Sequence, residues 1–383
     1  MNKIVILGAG MVGKAMALDL AQKHDVTSVD VNESALQFLE AHNIKTIHSD
    51  LRNPENIKSV ILSLSKDVIQ SLSKDVLVIG AVPGFMGYNT CKTVIEAGKN
   101  IVDISFFPED CFALDELAKK NNVTAIVDCG VAPGMDNILL GYHNKRMKVS
   151  NFECYVGGLP AKREKPFEYK APFSPVDVLE EYTRPARYVE NGFIVTKPAL
   201  SDAEYLEFEN IGTLEAFNSD GLRSLMFTMK IPNMKEKTLR YPGHIEYIKV
   251  LRDSGFFSNE KISIKGIEIS PMDFTSKLLF KKWKLQPEEE EFTVMRIIIE
   301  GEEAGKQVSY VYNLLDRYNK ETKTSSMART TGYTATAAAN LLLEGKFSRK
   351  GIIPPEYLGE DETAFAYILN YLSERGIYYK INN

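Results

Sequence analysis

The stretch Lys3-Ile4-Val5-Ile6-Leu7-Gly8-Ala9-Gly10-Met11-Val12-Gly13 decides the fold of the N-terminal part of the chain. Residues 3–7 are an unbroken apolar run, the pattern of a strand buried on both faces. The glycines at 8, 10 and 13 follow the G-x-G-x-x-G spacing, and Met11, Val12, Met16 and Leu20 recur behind them at helical spacing. A strand, a glycine turn and a helix in direct succession predict a unit that binds a dinucleotide. Each glycine has a separate reason. Gly8 permits the tight turn, Gly10 lets a pyrophosphate approach the backbone, and Gly13 lets the helix pack on the sheet. The helix then offers free N–H groups and a positive dipole end to phosphate. Asp30 lies 22 residues after Gly8 and ends the next strand. Its carboxylate is placed to accept hydrogen bonds from ribose hydroxyls and to repel a 2′-phosphate. The expected cofactor is therefore NAD, with NADP second.

The alternation continues. Strands are expected at 26–31, 44–48, 76–82, 100–105 and 123–128, and helices at 32–42, 53–64, 86–97 and 109–121. Asn32 is a suitable N-cap. Strands and helices in this order imply a parallel, doubly wound Rossmann sheet with right-handed crossovers. Such sheets bind ligands outside the carboxyl ends of their strands. The candidate cofactor contacts are thus Gly8, Gly10, Met11, Val12 and Gly13 after the first strand, and Asp30 and Val31 after the second. Asp50 and Leu51 follow the third, and Ala81, Val82, Pro83 and Gly84 follow the fourth. Asp50 either reaches the adenine or caps the next helix. The small residues at 80–84 leave room for a nicotinamide ribose. Ser-Leu-Ser-Lys-Asp-Val occurs at 63–68 and again at 71–76. That period is too short for a repeat architecture, so it is expected only to lengthen one helix–strand connection.

The chain has 383 residues, long for one core. Lys+Arg 46 against Asp+Glu 51 leaves a net charge of −5, which argues against a polyanion-binding surface and hence against nucleic acid. Four cysteines (Cys91, Cys111, Cys129, Cys154) form no C-x-x-C pair, and only five histidines are present. Neither a metal site nor a disulfide framework is expected. No apolar run is long enough to cross a bilayer, and Lys14 and Asp19 follow the N-terminal run too closely for a signal peptide. A cytoplasmic protein without a membrane partner is expected.

Beyond the first domain, taken as 1–130, the pattern changes. Residues 149–156, 262–269, 291–301 and 306–314 read as strands without strict β-α order, and 301–305 as a hairpin connection. This predicts an α+β domain over 131–325 with a mixed sheet, for substrate binding and dimerisation. A sheet with one face left open seeks a partner, so a homodimer is expected. An Ala-rich helix over 325–344, a loop at Pro354-Pro355 and a last helix over 362–375 form a third part, 326–383.

Several further stretches carry a resemblance: Val102-Asp103-Ile104-Ser105-Phe106-Phe107, Asp128-Cys129-Gly130-Val131-Ala132-Pro133-Gly134-Met135-Asp136-Asn137 and Tyr155-Val156-Gly157-Gly158-Leu159-Pro160. Leu214 to Gly221, Thr238 to His244 and Thr331 to Ala335 extend it. With the glycine loop, these resemble the saccharopine dehydrogenase family, and within it the lysine 6-dehydrogenase branch, from Lys3 to about Leu358. The resemblance implies a C-terminal part returning to the nucleotide domain. It also implies nicotinamide-dependent oxidation at a carbon bearing an amine, giving an imine that water hydrolyses. Lysine is the implied substrate and saccharopine the alternative. A non-catalytic NAD-binding redox sensor is the reading from another class.

An amino-acid substrate needs a carboxylate clamp, an amine partner and a proton acceptor. Arginine grips carboxylates as a bidentate fork. Arg223, after the polar turn Asn218-Ser219-Asp220-Gly221, and Arg240 are the candidate clamps, each weighed against an ordinary ion pair. Asp128 ends the sixth strand and either meets the ammonium, takes a proton or caps the next helix. His244 is a candidate base. Cys154 is either part of the substrate wall or a small buried hydrophobe.

Overall fold

The structure is a computed structural model that describes residues 1–66, 76–172 and 175–382. The connection at 67–75, with most of the second Ser-Leu-Ser-Lys-Asp-Val, lies outside the described residues. The chain divides into two compact units, Met1–Arg146 with Met327–Tyr378, and Met147–Ser326 with Tyr379–Asn383.

The first unit follows the strand–helix alternation. Its elements are β1 (Lys3–Leu7), α1 (Met11–Leu20), β2 (Asp25–Asp30), α2 (Glu33–Glu40), β3 (Lys45–His48), α3 (Pro54–Lys66), β4 (Leu77–Gly80), α4 (Gly84–Glu96), β5 (Ile101–Asp103), α5 (Asp115–Lys120), β6 (Thr124–Ile126) and α6 (Met135–Asn144). The expected helix over 109–121 is shorter: Asp110 caps a 3₁₀ turn at Cys111–Leu114 before α5 begins. The sheet is parallel throughout, in the order β6-β5-β4-β1-β2-β3, with a seventh strand, Gly351–Ile353, beside β6. Chain order reverses between β1 and β4, which is the switch point of a doubly wound sheet. Val5, Leu7, Val78 and Ile101 of the sheet pack with Ile57 and Ile61 of α3 and Val94 and Ile95 of α4, all almost fully buried. Each such side chain contributes about 1.5–3 kcal/mol.

The helix Ser326–Leu343 packs against α1 through small residues; a Cβ at Gly332 would lie 3.1 Å from Met16 Cγ. At the far end of α1, buried Asp19 accepts hydrogen bonds from Thr336 Oγ1 (2.6 Å), Tyr371 Oη (2.6 Å) and Arg375 Nε (2.8 Å). The helix that follows the glycine loop is thus anchored from the C-terminal segment. The boundary expected at residue 130 falls elsewhere, because α6 stays with the first unit: a Cβ at Gly141 would lie 2.1 Å from the Glu356 carbonyl oxygen.

The second unit holds a nine-stranded mixed sheet. Lys148–Pro160 runs through its middle, parallel to Asn233–Arg240 and antiparallel to Glu291–Glu303. The latter pairs with Lys306–Arg317 across Ala304 and Gly305, whose φ values of 48° and 79° close a two-residue turn of the primed kind. The expected single strand over 262–269 is instead a hairpin. Lys265 and Gly266, at φ 52° and 78°, turn the chain in its middle. An aromatic cluster around Trp283, Tyr182, Tyr169 and Phe217 fills the space among the helices Pro175–Thr183, His244–Asp253 and Pro271–Trp283.

Candidate functional site

Every candidate cofactor contact lies at the carboxyl edge of the parallel sheet, at the end of β2, in the loops after β1 to β4 or in the first turns of α1 and α4. Gly8 has φ +116°, and a Cβ there would lie 2.3 Å from the Ala81 carbonyl oxygen. A Cβ on Gly13 would lie 2.1 Å from the Gly8 carbonyl oxygen, so α1 sits directly against the turn. At Gly10 the opposite holds: nothing comes within 4 Å of a Cβ position. Gly10 is also the N-cap of α1 and brings no capping side chain, leaving the first-turn amides to a ligand. The Asp30 carboxylate accepts from Ala9 N at 2.6 Å and from Asn32 N at 2.8 Å, which fixes it between the glycine loop and α2. Met11 and Val31 are exposed at this edge, and Leu51 is buried beneath it. These residues fit a dinucleotide.

Asp50 is engaged by Arg52, with Nη2–Oδ2 at 2.6 Å and Nε–Oδ1 at 3.0 Å. That hydrogen bond, more than any other cause, holds its carboxyl at about 2. Its side chain neither caps α3 nor stands free; its backbone carbonyl accepts from Asn56 Nδ2 at 2.9 Å.

Sequence reasoning missed the carboxylate nearest the turn after β4. Asp103 ends β5 and is fully buried, and a Cβ on Gly80 would collide with its Oδ2 at 1.8 Å. Its Oδ1 accepts from Ser105 N at 2.9 Å and also from Ser105 Oγ. Burial pushes Asp103 up to about 7, against the Ser105 bonds, and the charge of Asp128 adds to the rise. Asp128 itself is buried with φ 52° just past β6, and Cys129 N donates to the Asp103 carbonyl at 3.0 Å. Two acidic side chains therefore share the carboxyl ends of β5 and β6. The rule that singled out Asp128, a polar residue ending a strand at this edge, applies equally to Asp103. Asp136 is held as a first-turn acid of α6, accepting from Gly134 N at 2.9 Å, and burial raises it to about 7. Glu356, also missed, accepts from Asn137 Nδ2 at 3.0 Å in the same buried cluster.

The remaining candidates lie in the second unit. Arg240 is not an open clamp. The residue is 2% exposed and its guanidinium is already bonded, through Nη2 to Glu181 Oε2 (2.7 Å), Nε to Tyr182 Oη (3.1 Å) and Nη1 to the Leu239 carbonyl (2.9 Å). It also stacks over the Tyr169 ring at 4.4 Å. His244 lies in the same interior. Its Nδ1 meets the Phe167 carbonyl at 2.9 Å, so the proton is assigned there, and Nε2 accepts from Tyr182 Oη at 3.0 Å. Burial pulls the imidazole down to about 3, and Arg240 adds to the shift. With both nitrogens bonded and so low a pKa, His244 is not poised as a base near neutrality.

This has a sign that can be measured. An unfolded histidine titrates near 6.5. A folded pKa below that value means stability is full above about 6.5 and falls as the unfolded chain takes up a proton on the way to about 3. The advantage of wild type over His244→Gln in urea midpoint should therefore shrink as pH falls from about 7 to about 5, a comparison in which the raised Asp103 and Asp136, present in both, cancel. Equal slopes would contradict this placement.

Arg223 is buried at φ 50°, in the segment after the strand Gly212–Asn218. That segment is seated on Glu236, another residue missed from sequence: a Cβ on Gly221 would lie 1.9 Å from Glu236 Oε1. Glu236 is the register partner of Cys154 on the central strand, so both share one sheet face, and both are buried. The structure thus brings together the Arg223 segment, Glu236 and Cys154, and separately Arg240 with His244.

A switch-point Rossmann unit with a dinucleotide cradle, followed by a mixed-sheet unit carrying buried arginine and carboxylate groups, defines a two-unit dehydrogenase architecture. Residues 4–126 match the saccharopine dehydrogenase NADP binding domain and residues 130–377 the saccharopine dehydrogenase C-terminal domain. The chain belongs to the saccharopine dehydrogenase family. Saccharopine dehydrogenase [NADP(+), L-glutamate-forming] of Pyricularia oryzae is 28% identical over 198 residues, 48% of this chain and 44% of that protein. Carboxyaminopropylagmatine dehydrogenase of Synechocystis sp. is 22% identical over 390 residues, 94% of each chain. Apo saccharopine dehydrogenase (L-Glu forming) of Saccharomyces cerevisiae superposes with a TM-score of 0.77 at 21% identity, covering 100% of this chain and 99% of that one, and so shares its fold. The chain spans less than half the length of the first curated relatives it matches, from 19% to 45%. A pyridine nucleotide is the supported cofactor class. The matched domain and the Pyricularia relative both carry NADP in their names, so the expected preference for NAD gains nothing from them. Among the described residues, no helix is long and apolar enough to cross a membrane.

Proposed function

We propose that this chain is a pyridine-nucleotide-dependent oxidoreductase acting on a C–N bond of an amino-acid-derived amine. The observation that carries this is the dinucleotide cradle: open space over Gly10, free amides at the start of α1 and the fixed Asp30 carboxylate. When bound, the nicotinamide exchanges a hydride with the carbon bearing nitrogen. The protein's own part is to hold that carbon at the carboxyl ends of β4, β5 and β6. Within the first unit, Asp103 and Asp128 are suited to meeting an amine or relaying its proton. Within the second, Arg223 is suited to gripping a carboxylate. Saccharopine and carboxyaminopropylagmatine, the compounds in the relatives' names, are both secondary amines. This ranks a saccharopine-like secondary amine above the lysine first expected. The working unit is proposed to be a cytoplasmic homodimer.

Absorbance of reduced nicotinamide, followed with saccharopine, lysine and ornithine, each with NAD and with NADP, tests the proposal. Turnover of an amine supports it, with saccharopine above lysine. Tight nucleotide binding with no turnover of any amine would favour a sensor.

NAD is proposed over NADP because the amides of Ala9 and Asn32 fix the Asp30 carboxylate at the end of β2, where its charge opposes a 2′-phosphate, and Arg52 on the next loop is committed to Asp50. Asp30→Ala should weaken NAD and relax discrimination against NADP by about 1–3 kcal/mol, roughly 5- to 150-fold in the affinity ratio. A wild type that prefers NADP tenfold or more would refute this reading. For the substrate side, Arg223→Ala should lower kcat/KM at least about 30-fold, as expected when a buried carboxylate loses its cation. Nucleotide affinity should stay constant. Unchanged rates in a folded variant would move the clamp elsewhere.

A further inference from the structure

Within the second unit, Glu236 shares a sheet face with its register partner Cys154, and Thr238 and Arg240 follow it on that face along its own strand. Lys235 and Lys237, its neighbours in sequence, point to the opposite face. There Lys235 Nζ meets Glu153 Oε1 at 3.2 Å and Lys237 Nζ meets Glu204 Oε1 at 2.6 Å. The turn after the strand Gly212–Asn218 is fastened to the Glu236 face. Thr238 Oγ1 donates to Ser219 Oγ at 2.9 Å, and a Cβ on Gly221 would lie 1.9 and 2.3 Å from the two Glu236 carboxylate oxygens. Asp220, the other acid of this turn, holds Arg187 through Nε–Oδ1 at 2.9 Å and Nη2–Oδ2 at 2.8 Å. Arg223 follows Gly221 by two residues, so their Cα atoms lie within about 7 Å of each other. Glu236 is 4% and Arg223 7% exposed. A carboxylate and a guanidinium are thus both withdrawn from water at one turn, and the charges beside them in sequence are engaged elsewhere.

We propose that Arg223 and Glu236 together hold the head of an α-amino acid, the guanidinium taking its carboxylate and the Glu236 carboxylate its primary ammonium. The proposal rests on the amino-acid-amine reading above and narrows it to substrates with a free α-amine beside the carboxylate. A charge inside a protein needs an opposite charge against it. An α-amino-acid head carries both signs, so between an acid and a base it adds no net charge to the interior, whereas a lone carboxylate or a lone ammonium adds one. Each half of the match is a strong one. The guanidinium fork fits a carboxylate, and a carboxylate accepts a charge-assisted bond from an ammonium. Cys154, beside Glu236, is small and uncharged and so neither crowds nor repels the ammonium. An amine held in this way keeps its proton, while the nitrogen whose C–N bond is oxidised must shed one. The clamp therefore reserves the α-amine and assigns the oxidation to a second nitrogen of the same molecule.

Titration calorimetry of the whole chain, with NADH present, gives the test. Two pairs of ligands differ only in the α-amine: saccharopine against its analogue with hydrogen in place of the primary amine, and lysine against the same analogue of lysine. Wild type should bind the parent of at least one pair at least about 30-fold more tightly than its analogue, the factor expected of one charge-assisted hydrogen bond. Glu236→Gln, with an unchanged circular-dichroism spectrum, should bring that ratio below about 3. A wild type that binds parent and analogue equally, or neither parent, overturns the proposal, and this comparison needs no variant. A Glu236→Gln chain that binds both more weakly and keeps the ratio makes Glu236 a support for Arg223 and overturns the proposal as well. Binding is read without turnover. A clamp found in a chain that oxidises no amine would refute the proposed chemistry alone, and oxidation with no preference for the α-amine would refute the clamp alone.

Discussion

Gly10→Ala should leave the thermal midpoint unchanged while weakening nucleotide binding about 10- to 100-fold. The two halves follow from the same geometry. A Cβ at this position meets nothing within 4 Å, and the backbone, at φ −66° and ψ −169°, suits any residue. The added methyl costs the free protein nothing, but it stands where a pyrophosphate must approach the amides of α1. Overpacking of this kind costs about 1–3 kcal/mol, here drawn entirely from binding. Gly13→Ala makes the contrast. Its Cβ would lie 2.1 Å from a backbone oxygen, so the turn itself must shift and stability should fall along with affinity. Calorimetry and titration with NADH separate the two variants. Wild-type affinity in Gly10→Ala would mean that no pyrophosphate passes over this loop.

Arg240→Ala should destabilise the second unit by about 3 kcal/mol, because it leaves Glu181 in the interior without its cation. Burial already pushes Glu181 up, with Arg240 opposing that rise. The substitution also empties the space beside Tyr169, Tyr182 and Phe217, whose rings lie 4.4, 5.8 and 5.9 Å from the guanidinium carbon. Glu181 keeps some access to water, which places the cost at the lower end of the buried-pair range. Replacing both partners, Arg240→Met with Glu181→Leu, should recover most of the loss, since an apolar pair carries no desolvation cost. Urea unfolding measures both variants. A single substitution without effect would show that the pair is dispensable and return Arg240 to the list of substrate ligands.

These outcomes show what the sequence can disclose. The strand, glycine turn and helix of residues 3–20 with Asp30 were legible because each step is local: an apolar run, a spacing, a capping pattern. The mixed sheet was legible as alternation at 149–156 and 291–314. The short strand Gly351–Ile353 was not, since three residues carry no periodicity and the partner β6 lies far back in the chain. Arg240 and His244 were read as site residues for a related reason. Their partners Glu181, Tyr182 and Phe167 lie 59, 62 and 77 residues away, and no spacing rule connects them. A buried polar residue and a catalytic one look alike until the neighbours are known. Asp103 is the converse case. It ends a strand at the ligand edge as Asp128 does, and the rule that selected one would have selected both.

The most direct measurement is isotopic. A secondary-amine substrate such as saccharopine, deuterated at the carbon whose C–N bond is to be oxidised, is turned over by the whole chain with oxidised pyridine nucleotide, and the reduced nucleotide is analysed by mass spectrometry. The account predicts one deuteron on the nicotinamide for each amine consumed, and a rate slowed by the label wherever hydride transfer limits turnover. Reduced nucleotide without deuterium, or amine consumed with no nucleotide reduced, would contradict it.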